Sequence, residues 1–143
     1  MASGKERLAQ FYEEVVNANA VDRVDEFCTA DFVDHEEFPG ISADRDGVKQ
    51  FFAMMREAFP DLHMNAEYIA EDGDHVMARF RMTGTHQGTF MGIPASGKHV
   101  DVGGYDEVRM TADGQQAMEH WGTLDAMALM QQIGAIPEPA GAG

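Results

Sequence analysis

The alternation of hydrophobic and polar positions divides the chain into a helical first part and a second part built from strands. Apolar residues recur at helical spacing over residues 4–19 and again from Asp44 to Phe59, so the pattern predicts a helix over each segment. A short helix is predicted between them, around Val21 to Cys28. Pro60 ends the third helix because proline cannot continue it.

After Pro60 the hydrophobic period changes to two, which is typical of half-buried strands. Four long strands are predicted, over about residues 62–70, 76–86, 100–110 and 118–124. Asp-Gly turns between alternating runs indicate hairpins, and a last helix is predicted over about Asp125 to Ile133. Helices followed by consecutive antiparallel strands favour an α+β fold. Glycines inside the strands favour a bent sheet, which the helices would close into a cone around one pocket.

Length, charge and cysteine content limit which kinds of protein and partner the sequence is compatible with. The 143 residues suit one domain, predicted over 1–136, followed by a flexible tail at 137–143. The formal net charge of -15 would repel nucleic-acid phosphates and anionic lipid, so we expect neither partner. No apolar segment is long enough for a membrane helix. The single cysteine, Cys28, allows no internal disulfide and favours a reducing, cytoplasmic location.

Polar residues on the apolar strand faces are the candidates for chemistry. Strand alternation places His86, Asp106 and His120 in line with buried neighbours, and Asp125 follows directly after the last strand. Burial of an unpaired carboxyl group raises its pKa from about 3.9. Such a group can act as a general acid or base near neutral pH.

Each of these candidates also has a purely structural interpretation. His86 could be a core histidine hydrogen-bonded to a carbonyl group. Asp106 and His120 could pair across neighbouring strands and only hold the sheet together. Asp125 could be the N-cap of the last helix, a role that does not exclude catalysis.

Other chemistries have weaker support. His35 lies in the run Asp34-His35-Glu36-Glu37, where it could simply be solvated. A metal site built from Asp34, His35, Glu36 and a distant histidine is a weaker alternative, and we predict no metal. The sequence contains no nucleophile elbow, phosphate-binding loop or dinucleotide fingerprint.

Five stretches of the chain carry a resemblance to a known family. They are Ala58-Phe59-Pro60-Asp61-Leu62, Gly84-Thr85-His86-Gln87-Gly88-Thr89-Phe90, Gly92-Ile93-Pro94-Ala95-Ser96-Gly97-Lys98, Glu119-His120-Trp121-Gly122-Thr123-Leu124-Asp125 and Gln131-Gln132-Ile133-Gly134. In this order and spacing they resemble the SnoaL-like polyketide cyclases of the NTF2-like fold. The resemblance extends from the first helix to Gly134.

The resemblance implies an α+β cone, a homodimer or homotetramer, that works without a metal or organic cofactor. Its best-known members close a ring by intramolecular aldol condensation, with an aspartate near the start of the last helix as acid/base. Asp125 falls on that position, and His120 matches the histidine in the strand before it. Where the cyclases carry a second pocket histidine, this sequence has Asp106. These three are the expected catalytic residues. The side chains expected to contact a substrate are His86, His35, Tyr105, Phe52, Phe80 and Trp121.

Three functions stay open on these residues. The first is a cofactor-independent cyclase in which Asp125 removes a proton beside a carbonyl group of an aromatic polyketide. The second is an accessory role in ring hydroxylation, or an epoxide-type hydrolase, in which Asp106 and Asp125 activate water. The third is a small-molecule binding module without chemistry, because fold does not fix function.

Overall fold

The computed structural model of the protein describes residues 2–137. In chain order its elements are α1 (Gly4–Phe11), a π-helical segment (Tyr12–Asn17), a 3₁₀ helix (Val21–Glu26), β1 (Cys28–Asp34), α2 (Arg45–Ala58), β2 (His63–Asp72), β3 (His75–Thr85), β4 (His99–Met110), β5 (Ala117–Leu124) and α3 (Ala126–Gln132). The strands form one sheet in the order β1-β5-β4-β3-β2. This arrangement confirms the predicted α+β class and bent sheet.

Local sequence signals explain where the helices begin. Ser3 caps α1 in a reciprocal capping box with Glu6. Asp44 caps α2 by accepting a hydrogen bond from the backbone N–H of Gly47 at 2.9 Å. The cap of α3 is Asp125, which accepts from the N–H of Ala128 at 3.0 Å.

Strand alternation places the apolar core on the sheet face that the helices cover. In β3 every second residue is buried, and β4 follows the same pattern except at Asp106; the buried positions include Val76, Phe80, Val100 and Val102. At Gly104 a Cβ atom would lie 2.3 Å from the Phe80 ring, so only glycine lets this ring pack across β4. The hairpins β2–β3, β3–β4 and β4–β5 are all antiparallel, as predicted.

The edge strand β1 differs from the prediction. Residue 28, predicted as the end of a helix, begins a strand that pairs parallel to β5, so the sheet is mixed rather than purely antiparallel. The pairing is interrupted between Cys28 and Val33, and only Cys28 and Phe32 are buried. Period two is therefore weak in this segment, because the short edge strand is irregular and carries Asp31 and Asp34.

Two further predictions concern the ends of the chain, the first helix and the tail. The helix predicted over residues 4–19 changes to π-helical geometry at Tyr12. The predicted tail, residues 137–143, lies outside the described residues except for Pro137. Across residues 2–137, no helix has the length and apolar character needed to cross a bilayer.

Candidate active site

A cavity of about 590 Å³ lies between the sheet and the helices. Its walls are mostly apolar, and seven phenylalanines contribute to them, from α1, the end of the 3₁₀ helix, β1, α2, β3 and the loop between β1 and α2. They are Phe11, Phe27, Phe32, Phe38, Phe51, Phe52 and Phe80. Several of these rings meet edge to face, at centroid distances of 5.2–5.9 Å for the Phe11–Phe52, Phe38–Phe51 and Phe51–Phe52 pairs. The cavity therefore suits a flat apolar ligand.

One part of the cavity wall carries a connected polar cluster. Nδ1 of His120 lies 2.8 Å from Oδ1 of Asp34, and Nε2 lies 2.7 Å from Oδ1 of Asp106. The hydroxyl of Tyr12 donates to the other Asp106 oxygen at 2.5 Å. All four side chains line the cavity. We call these four residues the His120 cluster.

Strand register brings the cluster together. Asp34, at the end of β1, is the direct pairing partner of His120 on β5. On β4, Asp106 pairs with Gly122, two positions from His120 on the same face, so the two side chains are diagonal neighbours. Tyr12 reaches them from the first residue of the π-helical segment. Such segments are frequent at functional sites.

The surrounding charges fix the protonation of the cluster. Burial alone would lower the pKa of His120, but hydrogen bonds to Asp106 and Asp34 and their negative charges outweigh it and raise the pKa to about 10. At neutral pH His120 is therefore an imidazolium held between two carboxylates. Burial, followed by the charge of Asp106 and the hydrogen bond to it, raises the pKa of Tyr12, which stays a neutral phenol.

Glu36 lies beside the His120 cluster, on the loop that follows β1. Its Oε1 is 4.0 Å from Nε2 of His120. Its backbone N–H donates to Oδ1 of Asp34 at 2.9 Å. Burial raises the pKa of Glu36; the charge of His120 opposes this shift, and the charges of Asp106 and Asp34 add to it.

Within the described residues, Glu36, Asp106 and His120 form a group that could hold a metal cation. Glu36, Asp106 and His120 each offer one donor atom, and the three atoms lie within 4.8 Å of one another. However, Nε2 of His120 and Oδ1 of Asp106 face each other across a 2.7 Å hydrogen bond. A protonated imidazole has no free lone pair for a metal, so a cation would bind here only by displacing this proton.

Comparison with known proteins places the chain in a family. The sequence model of the SnoaL-like polyketide cyclases matches residues 6–133. The chain belongs to this family. Its architecture is accordingly the NTF2-like cone predicted from the sequence. No curated protein sequence matches the chain.

Solved structures agree with the family assignment. IdmH of Streptomyces antibioticus, proposed to be a polyketide cyclase, is 28% identical; 93% of this chain and 99% of that chain are covered, with a TM-score of 0.80. A proposed SnoaL-like polyketide cyclase from Jannaschia sp. CCS1 is 28% identical over 94% and 93% of the two chains, with a TM-score of 0.79. AclR of Streptomyces galilaeus, proposed to be a hydroxylase, is 26% identical over 97% and 87%, with a TM-score of 0.81.

Among the residues predicted for this SnoaL-like site, four line the cavity. Asp106 and His120 form the hydrogen-bonded centre of the cluster, and Phe52 and Phe80 belong to the aromatic wall. Asp125 does not join them. Its side chain is exposed and caps α3, so in this structure it has the structural role that the sequence left open. The reason is alternation: Leu124 faces the cavity, and the next residue turns away from it.

The other predicted contact residues also lie outside the cavity lining. His86 is fully buried behind the β3–β4 loop, with Nδ1 accepting a hydrogen bond from the N–H of Ser96. Tyr105 is 53% exposed on the opposite face of the sheet. On that same face Trp121 stacks on His35, with ring centroids 4.8 Å apart. Tyr105 and Trp121 occupy odd positions of strands whose even positions face inward. The homodimer or homotetramer that the resemblance implies stays a prediction.

Three polar residues in or beside the His120 cluster were not predicted as catalytic or substrate-binding. Tyr12 lies in the apolar stripe of the first predicted helix, where its hydroxyl is the only polar tip and is the signal that could have revealed it. Asp34 and Glu36 entered only through the alternative metal site. Without the parallel pairing of β1 with β5, nothing in the sequence brings them to His120.

Proposed function

We propose that the protein is an acid/base enzyme of the cyclase type that needs no cofactor and acts on an aromatic polyketide or a similar flat small molecule. The reaction begins with removal of a proton from a carbon beside a carbonyl group. The observation that carries the proposal is the His120 cluster, which sets a hydrogen-bonded carboxylate and an imidazolium into the wall of a phenylalanine-lined cavity. The aldol-type ring closure expected from the family is one reaction that such a site can start.

Asp106 is the proton acceptor in this proposal. Its two oxygens accept hydrogen bonds from His120 and Tyr12, which hold the carboxylate in one orientation. Asp34 in turn fixes the imidazolium from its other nitrogen. The positive charge of His120 lies beside the negative charge that develops on the substrate as the proton leaves. In a cavity that excludes water this interaction is stronger than in bulk solvent.

The cavity walls restrict the substrate to a size and a shape. A volume of about 590 Å³ is in the ordinary range of small-molecule sites, roughly 300–1,000 Å³. Aromatic walls favour a planar conjugated ring system through offset and edge-to-face contacts. Such a ring system also spreads the charge of the enolate over several atoms, so the protein has to stabilise less charge at any one of them.

A model reaction tests the proton transfer without knowledge of the natural ring. The probe is acetonaphthone, an aryl methyl ketone, whose methyl protons exchange with deuterium in heavy water and can be followed by NMR. We expect the protein to accelerate this exchange. Asp106→Asn should retain binding, measured by calorimetry, and slow the exchange about a hundredfold or more, the usual contribution of a general base.

The matched control is Asp125→Asn, the same chemical change at the exposed aspartate of α3. It should leave exchange unchanged. If the wild type binds acetonaphthone without accelerating exchange, the acid/base proposal is wrong and the protein is a binding module. If Asp125→Asn rather than Asp106→Asn abolishes exchange, the base has been assigned to the wrong aspartate.

Similarity to AclR favours one second candidate, a part in ring hydroxylation on the same cavity. The two candidates differ in what they consume. Hydroxylation would require dioxygen and a reductant or reductase partner, whereas ring closure by proton transfer requires neither. Turnover of aromatic polyketide esters under nitrogen would therefore favour the cyclase, and turnover that appears only with dioxygen and reductant would favour hydroxylation.

A further inference from the structure

We propose that Glu36 is the proton donor of this site, giving a proton to the substrate oxygen while Asp106 takes one from carbon. This role rests on the proposed function, because it adds the acid to a reaction whose base is Asp106. The sequence offered Glu36 only as a ligand in an alternative metal site, and the resemblance gave it no role.

The first observation is that the carboxyl group of Glu36 accepts no hydrogen bond from the described residues, 2–137. Nε2 of His120 lies 4.0 Å from its Oε1. The side chain is 35% exposed, and it lines the cavity. A substrate in the cavity can therefore reach this carboxyl group. Asp106 differs, since both its oxygens accept hydrogen bonds.

The second observation is that the fold makes room for this carboxyl group. At Gly122 on β5, a Cβ atom would lie 2.5 Å from Oε1 of Glu36 and 2.8 Å from Nε2 of His120. Glycine thus leaves the space that the carboxyl group occupies beside the imidazole. Asp34 fixes the loop from the other side, because its Oδ1 receives both the Glu36 N–H and Nδ1 of His120.

The third observation concerns charge. The groups that face Glu36 are His120 on β5, Asp106 on β4 and Asp34 on β1. Together they already carry one net negative charge when both aspartates are ionised and His120 is protonated. Burial is the main cause that raises the pKa of Glu36; the charge of His120 opposes the rise, and the charges of Asp106 and Asp34 add to it. Two neighbouring carboxyl groups with different environments divide the roles of acid and base between them.

The proposed step balances in protons and electrons. Asp106 accepts the proton from the carbon beside the carbonyl group, and the C–H electron pair becomes the new C=C bond of the enol. Glu36 gives its proton to the carbonyl oxygen as the C=O π bond opens. In a ring closure the enol carbon then bonds to a second carbonyl carbon, and the enol O–H returns its proton to Glu36 as the first C=O bond forms again. The proton held by Asp106 passes to the oxygen of the second carbonyl group, so both residues are restored and the net reaction is an isomerisation.

Glu36→Gln tests this assignment, with acetonaphthone exchange as the readout. Glutamine keeps the shape and can still donate a hydrogen bond, but its amide cannot release a proton. We expect kcat to fall about a hundredfold with KM nearly unchanged, as for loss of a general acid. The decline of the rate at high pH, which reports ionisation of the acid, should also disappear. Glu57→Gln, on the exposed face of α2, is the matched control and should leave the rate and its pH profile unchanged.

A carbon NMR titration of the carboxyl groups gives a second readout that needs no substrate. The signal that Glu36→Gln removes should titrate above the ordinary glutamate value of about 4.3. Titration at or below that value would overturn the assignment. The assignment would also be overturned if Glu36→Gln kept the wild-type exchange rate and its decline at high pH while Asp106→Asn abolished exchange. That result would leave the proposed function standing. If neither Glu36→Gln nor Asp106→Asn slows the exchange, both the role of Glu36 and the proposed function are wrong.

Discussion

The free energy of unfolding should fall as the pH rises from about 7 to about 8.5, because the folded protein holds a proton on His120 that the unfolded chain has lost. The ordinary pKa of histidine is about 6.5, and the folded value is about 10. Between these values the folded state binds more protons than the unfolded state, so stability declines with pH. The contribution is complete below about pH 6.5 and lost above about pH 10. One proton corresponds to about 1.4 kcal/mol per pH unit, or about 2 kcal/mol over this interval.

Urea unfolding at several pH values measures this decline. The interval ends below the range in which Cys28 contributes, since its buried thiol has a pKa raised to about 12 and an ordinary value of 9.0. His120→Gln should remove most of the slope, whereas His63→Gln, a change at an exposed histidine of β2, should keep it. A wild-type slope equal to that of His120→Gln would refute the reasoning. So would an imidazole signal of His120 that titrates near pH 6.5 by NMR.

Two further predictions follow from single contacts. Gly122→Ala introduces a Cβ atom 2.5 Å from Oε1 of Glu36, so it should displace this carboxyl group and slow acetonaphthone exchange at least tenfold while the protein stays folded. Exchange at the wild-type rate would show that the position of Glu36 is unimportant. Asp125→Ala removes the cap of α3 and should cost about 1 kcal/mol of stability with no effect on exchange. Urea unfolding and the exchange assay check both parts, and a loss of exchange in a stable protein would return Asp125 to the mechanism.

The parts of the fold that follow period two or helical period could be predicted from the sequence, and the parts that depend on long-range pairing could not. Strand β3 and most of β4 alternate regularly, and Asp106 and His120 lie on the cavity side of the sheet, as their alternation with apolar neighbours predicts. Strand β1 is irregular, and its parallel partner lies at the other end of the chain. The position of Asp34 depends on that pairing alone.

The candidate site shows the same division. Asp106 and His120 were predicted because a polar residue on an apolar strand face is unusual. Asp125 was assigned by resemblance to family members, and side-chain direction at a strand end cannot be read from such a position. The structure turns this residue to solvent. Tyr12 was hidden because a tyrosine in a helical apolar stripe is read as core, and its hydroxyl partner lies 94 residues away.

The long separations within the His120 cluster have a consequence for how the protein folds. Tyr12 and Asp106 are 94 residues apart, and Asp34 and His120 are 86 apart. Closing a loop of this length costs about 4 kcal/mol of chain entropy before any contact forms. The local hairpins of β2 to β5 can form first, and the last of them brings His120 to Asp106, which is only 14 residues away in sequence. Asp34 and Tyr12 join the cluster only when β1 pairs with β5 and the π-helical segment packs against the sheet. We therefore expect the His120 cluster to be completed late in folding, and an intermediate that has not docked β1 holds the imidazole beside Asp106 without Asp34.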